Sequence, residues 1–285
     1  MLISLLHRTT FAYAGKAHDS FNEVRLRPVD DANQACRSFG LRTDPAANMR
    51  DYVDFYGNTV HYFDIAAGHD RLMIEAVSQV ETTPNAARLP VPAVPNLAPG
   101  SERELVAEYL AGSHYVPLEV DVWKEAQDAL AEGRPDVWSD VRHICRHVFK
   151  NFAYKPRSTG VATLATDAIR LRSGVCQDFA HVALGMCRCS EIPARYVSGY
   201  FMRSQRKHDD DEASHAWIEA YVPGYGWAAF DPTHDRPADE RYIKVASGRD
   251  YADIRPVSGT YRGGKTHSLG VEVKVREAEA AGASR

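Results

Sequence analysis

The chain has 285 residues, 44% hydrophobic, 10% aromatic and 25% charged, a mixture that supports a sizeable buried core and excludes a wholly disordered polypeptide. A formal net charge of -4 provides no global positive field for nucleic acid or anionic lipid. No apolar run is long enough to span a bilayer, and Met1 to Arg8 lack the basic region and small-residue cleavage site of a secretory signal, so the expectation is a soluble cytoplasmic protein with no nucleic-acid or membrane partner.

At roughly 150 residues per domain the length suggests two domains, and the pattern along the chain divides accordingly. Residues 1–82 read as strands. Phe11 and Tyr13 alternate with small residues, Tyr52–Tyr56 and Thr59–Phe63 flank the turn signal Gly57-Asn58, and a further strand covers Leu72 to Val80. Short strands with turn residues between them predict an N-terminal antiparallel β-sandwich. Residues 83–100 form a Pro-rich linker: Pro84, Pro90, Pro92, Pro95 and Pro99 are five of the fifteen prolines in the chain and favour an extended connection.

Residues 101–275 then read as a helix-rich region followed by strands, so the whole is α+β. Ser101 and Glu104 make a capping-box pattern. A helix follows Asp136, with Val137, Val141, Ile144, Cys145, Val148 and Phe152 on one stripe, and a short one covers Thr166 to Arg172. Phe179, Val182, Ala183 and Met186 mark a third helix with Cys176 in its first turn. Strands are expected over 194–201, 214–222 and 227–231, with weaker ones near Val245 and over 271–275; residues 203–212 read as a polar loop and 276–285 as a flexible tail.

The five cysteines, Cys36, Cys145, Cys176, Cys187 and Cys189, are few and odd in number, which points to reduced thiols rather than a disulfide framework. Cys145 sits on the apolar stripe of its helix and reads as core. Cys176 is different: a thiol at a helix N-terminus lies beside unpaired backbone N–H groups, which favour a thiolate and can stabilise an oxyanion. Gly174 ahead of it leaves room for a substrate backbone. Most free cysteines are nonetheless small apolar fillers.

A nucleophilic reading needs an imidazole. If the hairpin between 214–222 and 227–231 is centred on Pro223, His215 faces Asp231 across the ladder, and the carboxylate fixes the ring that meets the thiol; a one-residue slip in register turns the two to opposite faces. His234 is the second choice. His181 stands about 140° around the helix from Cys176, and His143 and His147 flank the core stripe of an earlier helix. Zinc held by Cys176, Cys187, Cys189 and a histidine is the rival, weakened because Cys187 and Cys189 diverge by about 200° on a helix.

The stretches SGVCQDFAHVALGMCR, EIPARYVSGYF and ASHAWIEAYVPGYGWAAFDPTHD, in that order, resemble the core of the transglutaminase-like superfamily of bacterial cysteine-protease-like proteins. Residues from about Leu2 to Glu81 resemble the strand-rich domain that precedes this core in bacterial members. The resemblance implies a papain-like or transglutaminase-like fold, a Cys176 nucleophile, a His215 base, an Asp231 orienting carboxylate, no cofactor or metal, and a peptide or protein amide as substrate.

The implied chemistry is acyl transfer through a thioester, with hydrolysis by a protease or amidase preferred. Transglutaminase-type or arylamine transfer to an amine, and a non-catalytic peptide-binding or assembly module, are the alternatives. No calcium loop is evident, since the HDDDE run lacks the glycine and spaced oxygens of an EF-hand. Tyr154 is the candidate second oxyanion donor, beside its plain reading as a packing tyrosine. Trp217 shares a face with His215 and either lines the cleft, shielding the ion pair, or fills the core; Asp178 favours the helix N-terminus electrostatically.

Overall fold

The computed structural model describes residues 1–84, 100–131, 136–202 and 214–278. Most of the Pro-rich linker and the polar loop expected over 203–212 therefore lie outside the described residues. The first strand, β1 (Leu2–Val24), alternates buried and half-buried residues from Ile3 to Thr9, the two-residue period of a strand with one face in a core. β2 (Gln34–Asp44), β3 (Arg50–Val53), β4 (Thr59–Ile65) and β5 (His69–Thr82) follow. The expected hairpin joins β3 to β4, with Val53 opposite Thr59 and Gly57 at φ +85° in the turn.

One edge of β1 pairs with β5 over Leu2–Ala17 and then with β4 over Ser20–Val24. Register shifts between Ala12 and Phe21 bend the strand at this handover. The sheet thereby curls on itself: Phe63 and Ile65 of β4 share a buried cluster with Leu72 and Ile74 of β5, although the two strands are not sheet neighbours. The layers of the N-terminal unit are thus arms of one continuous antiparallel sheet.

Beyond the linker come α1 (Ser101–Glu104), α2 (Val120–Ala129), α3 (Val137–Asn151), β6 (Ala153–Tyr154), α4 (Ala165–Leu171), β7 (Ser173–Gly174) and α5 (Cys176–Cys189). α1 is a single turn. Asp136 caps α3, its carboxylate accepting from Ser139 N at 2.9 Å. α5 is buried from Asp178 to Arg188 on all sides, because α2, α3 and α4 surround the faces that the sheet leaves free. That sheet has the order β11 (Arg236–Pro237), β10 (Gly226–Asp231), β9 (Ser214–Val222), β8 (Ala194–Phe201), β12 (Tyr242–Gly248).

Two amide side chains join the units at the β12 edge. Asn58 donates to Ser247 O at 2.9 Å and accepts from Ser247 N at 2.8 Å; Gln34 does the same to Lys244, each bond at 2.8 Å. Both amides are buried, so the edge strand's peptide groups are satisfied without another strand.

The last strand corrects the sequence reading, which placed C-terminal strands in the 101–275 core and began the tail at 276. β13 (Val257–Glu277) runs antiparallel along the whole free edge of β1, from Val24 opposite Val257 to Ile3 opposite Glu277. β1 buries one face and leaves one edge unpaired by β5 and β4, and β13 completes that ladder; its glycines at 259, 263, 264 and 270 obscure the strand pattern in the sequence.

Gly199 on β8 sits opposite His215, and a Cβ there would lie 2.0 Å from Ile243 O and 2.7 Å from the Trp217 ring. Gly199→Ala is therefore expected to cost at least about 1–3 kcal/mol by overpacking, measured as a lowered urea midpoint.

Candidate active site

Cys176 is the first residue of α5, preceded by Val175 in extended conformation. The chain reaches this point through β7, whose Gly174 pairs in parallel with Tyr154 of β6. Asp178 fixes the helix start: its Oδ2 accepts from Val175 N at 2.8 Å and from the Thr159 hydroxyl at 2.6 Å. Burial raises its carboxyl above the ordinary range while these hydrogen bonds pull it down. The expected electrostatic role of Asp178 is thus a direct, buried hydrogen bond.

Gly174 has another reason than the one inferred from sequence. A Cβ at this position would lie 2.5 Å from Asp178 Oδ2 and 2.6 Å from its Cβ, so the glycine admits Asp178, and it is itself buried and absent from the cleft lining. For Trp217 the core-filling reading holds and the cleft-lining one does not. It is 2% exposed and stacks behind the His215 ring at 6.2 Å, with Tyr242 edge-on at 5.4 Å, which makes it packing for the imidazole rather than cleft wall.

His215 and Asp231 do meet, by a slightly different register. Val222 pairs with Gly226, centring the hairpin on Gly224 instead of Pro223, and continuing that ladder puts Asp231 opposite Trp217. Moving the centre by one residue moves the partner by two, so the face is preserved. His215 Nε2 donates to Asp231 Oδ2 at 2.8 Å, which leaves Nδ1 for the hydrogen bond between His215 and the Cys176 thiol.

Asp231 is completely buried, and burial alone would raise its carboxyl; hydrogen bonds from His215 and His234 instead hold it well below the usual carboxylate range. His234 Nδ1 reaches the same Oδ2 at 2.6 Å, the Tyr242 hydroxyl donates to it at 2.8 Å, and Thr233 N donates to Oδ1 at 2.7 Å. Burial opposes the imidazolium of His215, yet the bonds to Asp231 and Cys176 push its pKa up to about 10.

Sequence reasoning weighed His234 as an alternative base; the structure brings it to the carboxylate as a second imidazole donor. Tyr242 was missed altogether, because it arrives from β12, which pairs with β8 and carries no motif tying it to Asp231. His181 is fully buried between Tyr115 and Tyr196, accepts from Tyr251 N, and is driven by burial to about 3, a neutral core ring.

Cys176 and His215 open into a cavity of about 380 Å³. Tyr154 and Tyr196 form one side, Tyr154 lying edge-on to Phe179 at 6.0 Å. The opposite side comes from the N-terminal sheet, through His7, Thr9 and Phe11 of β1 and Leu269 and Val271 of β13. Among the described residues the ligand atoms of Cys176, Cys187 and Cys189 form no cluster; His215, Asp231 and His234 are the group whose ligand atoms come within 4.8 Å. In those three the shared Oδ2 already accepts from both rings and from Tyr242.

Comparison with known proteins agrees in both halves of the chain. Residues 124–232 match the transglutaminase-like superfamily, and residues 3–81 match the bacterial transglutaminase-like N-terminal region. An uncharacterized protein of Mycobacterium leprae is 34% identical over 280 residues, covering 95% of this chain and 97% of its own. A protein-glutamine gamma-glutamyltransferase of Pseudomonas aeruginosa is 33% identical over 127 residues, 39% of this chain and 19% of that protein. A proposed cysteine protease from Cytophaga hutchinsonii has a similar fold, with TM-score 0.75, 23% identity and coverage of 99% and 93% of the two chains.

The raised pKa of His215 sets a pH dependence. Its ring stays protonated in the folded chain up to about 10, against 6.5 ordinarily, so its contribution is complete below 6.5 and is lost as pH rises through 10. Between those limits the wild-type chain should lose stability relative to His215→Ala, with a slope of up to about 1.4 kcal/mol per pH unit, read from urea unfolding of both proteins at several pH values.

Proposed function

The chain belongs to the transglutaminase-like superfamily, and we propose that it transfers acyl groups from peptide or protein amides through Cys176, with His215 carrying the proton and Asp231 orienting the ring. The observation that carries this reading is the position of His215, hydrogen-bonded on one nitrogen to a buried carboxylate and on its other side to the thiol at a helix tip.

Acting as thiolate beside imidazolium, the sulfur of Cys176 attacks the amide carbonyl, and the negative charge moves to oxygen. The backbone N–H of Cys176, unpaired within its helix, faces that charge, and the Tyr154 hydroxyl is assigned as second donor because it lines the same cavity. Collapse breaks the C–N bond as His215 gives its proton to the departing amine, leaving a thioester. Water then attacks while His215 takes up its proton, and the C–S bond breaks to release the acid and restore the thiolate beside imidazolium. Asp231 keeps Nε2–H bound throughout, and its second imidazole donor and Tyr242 keep the carboxylate from turning.

We assign water as the ordinary acceptor because it needs no binding site, whereas an amine must be held against the thioester. Transfer to an amine is the second reading, favoured by the likeness over 127 residues to the Pseudomonas glutamyltransferase. A chain that only binds peptides on this fold would keep the cleft without a reactive thiol.

Iodoacetamide labelling followed by peptide mass mapping separates these. Cys176 should alkylate faster than Cys36 or Cys189, and His215→Ala should slow it by about 10²-fold or more, the scale of a lost general base; equal, slow labelling of the accessible thiols would overturn the catalytic reading. With an amide substrate found by library screening, Cys176→Ala should abolish the acyl-enzyme adduct in intact mass, and Asp231→Asn should lower kcat far more than it raises KM. Turnover in 18-O water assigns the acceptor: label in the product acid means hydrolysis, and product joined to an added amine means transfer.

A further inference from the structure

A cavity of about 910 Å³ lies away from the thiol, on the curled N-terminal sheet. Phe11, Tyr13, Phe21, Tyr52, Tyr62 and Tyr261 line it, beside polar groups that include Glu23, Asp64 and Arg255. Phe21 is 61% exposed, and Tyr52, Tyr62 and Tyr261 are 40%, 38% and 37% exposed. Scattered apolar residues on a surface mean little, but four large aromatics left open within one concavity are a binding feature. The rings hold one another in place, Tyr13 against Tyr261 at 5.0 Å and Tyr52 against Tyr62 at 6.3 Å, and Tyr52 is tied by its hydroxyl to Glu23 at 2.8 Å. An apolar hollow of this size with a few fixed polar groups is the usual form of a ligand pocket.

This hollow adjoins the Cys176 cleft. Phe11 and Val257 line both. Along β1 the alternate residues His7 and Thr9 face the thiol, Phe11 stands at the junction and Tyr13 enters the aromatic hollow; along β13, Val271 and Leu269 face the thiol and Thr266 and Tyr261 the hollow. One ligand chain lying along the paired strands would meet both.

We infer that the aromatic hollow of the N-terminal sheet is a substrate subsite that takes a large aromatic or apolar side chain of the same polypeptide whose amide is presented to Cys176. This rests on the amide-directed reading of the site above. A polypeptide is the occupant because the reacting group of that reading is an amide and the two cavities meet at Phe11 and Val257, so the side chain received by the hollow is carried a few residues from the reacting bond. Burying such a side chain between these rings strengthens binding by about tenfold or more over alanine.

The test uses the full chain and a fluorescein-labelled, acetylated decapeptide amide of Ala, Gly and Gln in which each position in turn is Phe or Ala. Anisotropy should show one or two adjacent positions at which Phe binds at least about tenfold tighter. Phe21→Thr with Tyr62→Thr should erase that preference. Hydrogen exchange on the unsubstituted chain gives an answer that does not depend on the variants folding: the Phe peptide should protect 257–266 and 59–65, and the Ala peptide should not.

Equal affinity for Phe and Ala at every position, protection confined to other strands, or protection by a chitin oligosaccharide and not by the peptides overturns the subsite. Iodoacetamide kinetics at Cys176 keep the two ideas apart. Fast, His215-dependent alkylation without a Phe preference refutes the subsite alone, whereas a Phe preference with slow alkylation supports the hollow as a peptide site and refutes the catalytic reading.

Discussion

A single buried oxygen organises this structure. Asp231 Oδ2 receives Nε2 of His215, Nδ1 of His234 and the hydroxyl of Tyr242, at 2.8, 2.6 and 2.8 Å. A carboxylate with no exposed surface is tolerable only when its charge is answered by donors this close, and those donors come from three different stretches of the chain. β9 supplies His215, the turn after β10 supplies His234, and β12 supplies Tyr242. Satisfying Asp231 therefore fixes how these segments sit against one another. The same satisfaction orients the imidazole toward the tip of α5, so stability of the fold and geometry of the site draw on one set of hydrogen bonds.

Around that point, packing removes the remaining freedom. Trp217 stacks on the back of the His215 ring, and Gly199 on the neighbouring strand is bare because the Trp217 indole and Ile243 O occupy the space a side chain would need. On the thiol's side, Asp178 locks the first turn of α5 to its own cap, and Gly174 is bare for the parallel reason. Two glycines thus mark where buried polar or aromatic groups press on the backbone from either side of the cleft.

Much of this was legible before any coordinates. Helical period placed Cys176 at the start of a buried helix, and α5 begins at that residue. The hairpin brought His215 and Asp231 together because side-chain facing depends on the parity of the register, which survived a displaced centre. What the sequence hid was tertiary. Tyr242 reaches Asp231 across strands whose order no local pattern encodes, and Gly174 reads as cleft wall and Trp217 as either wall or core because sequence proximity to a site does not say on which side of it a residue packs. Of β13 only the 271–275 end was legible, because its pairing partner lies at the other end of the chain and its glycines dilute the alternation. The curl of the first sheet was likewise invisible, being set by bulges in β1.

The pairing of the first described strand with the last one has a consequence for biosynthesis. His7, Thr9 and Phe11 stand in one wall of the cleft beside Leu269 and Val271, so a chain emerging from the ribosome carries its thiol, imidazole and carboxylate long before it carries the wall that shapes access to them. Until residue 271 has been translated and has zipped along β1, the sulfur of Cys176 lacks that wall of its cleft. The order of synthesis itself thereby makes this wall of the cleft one of the last parts of the fold to close.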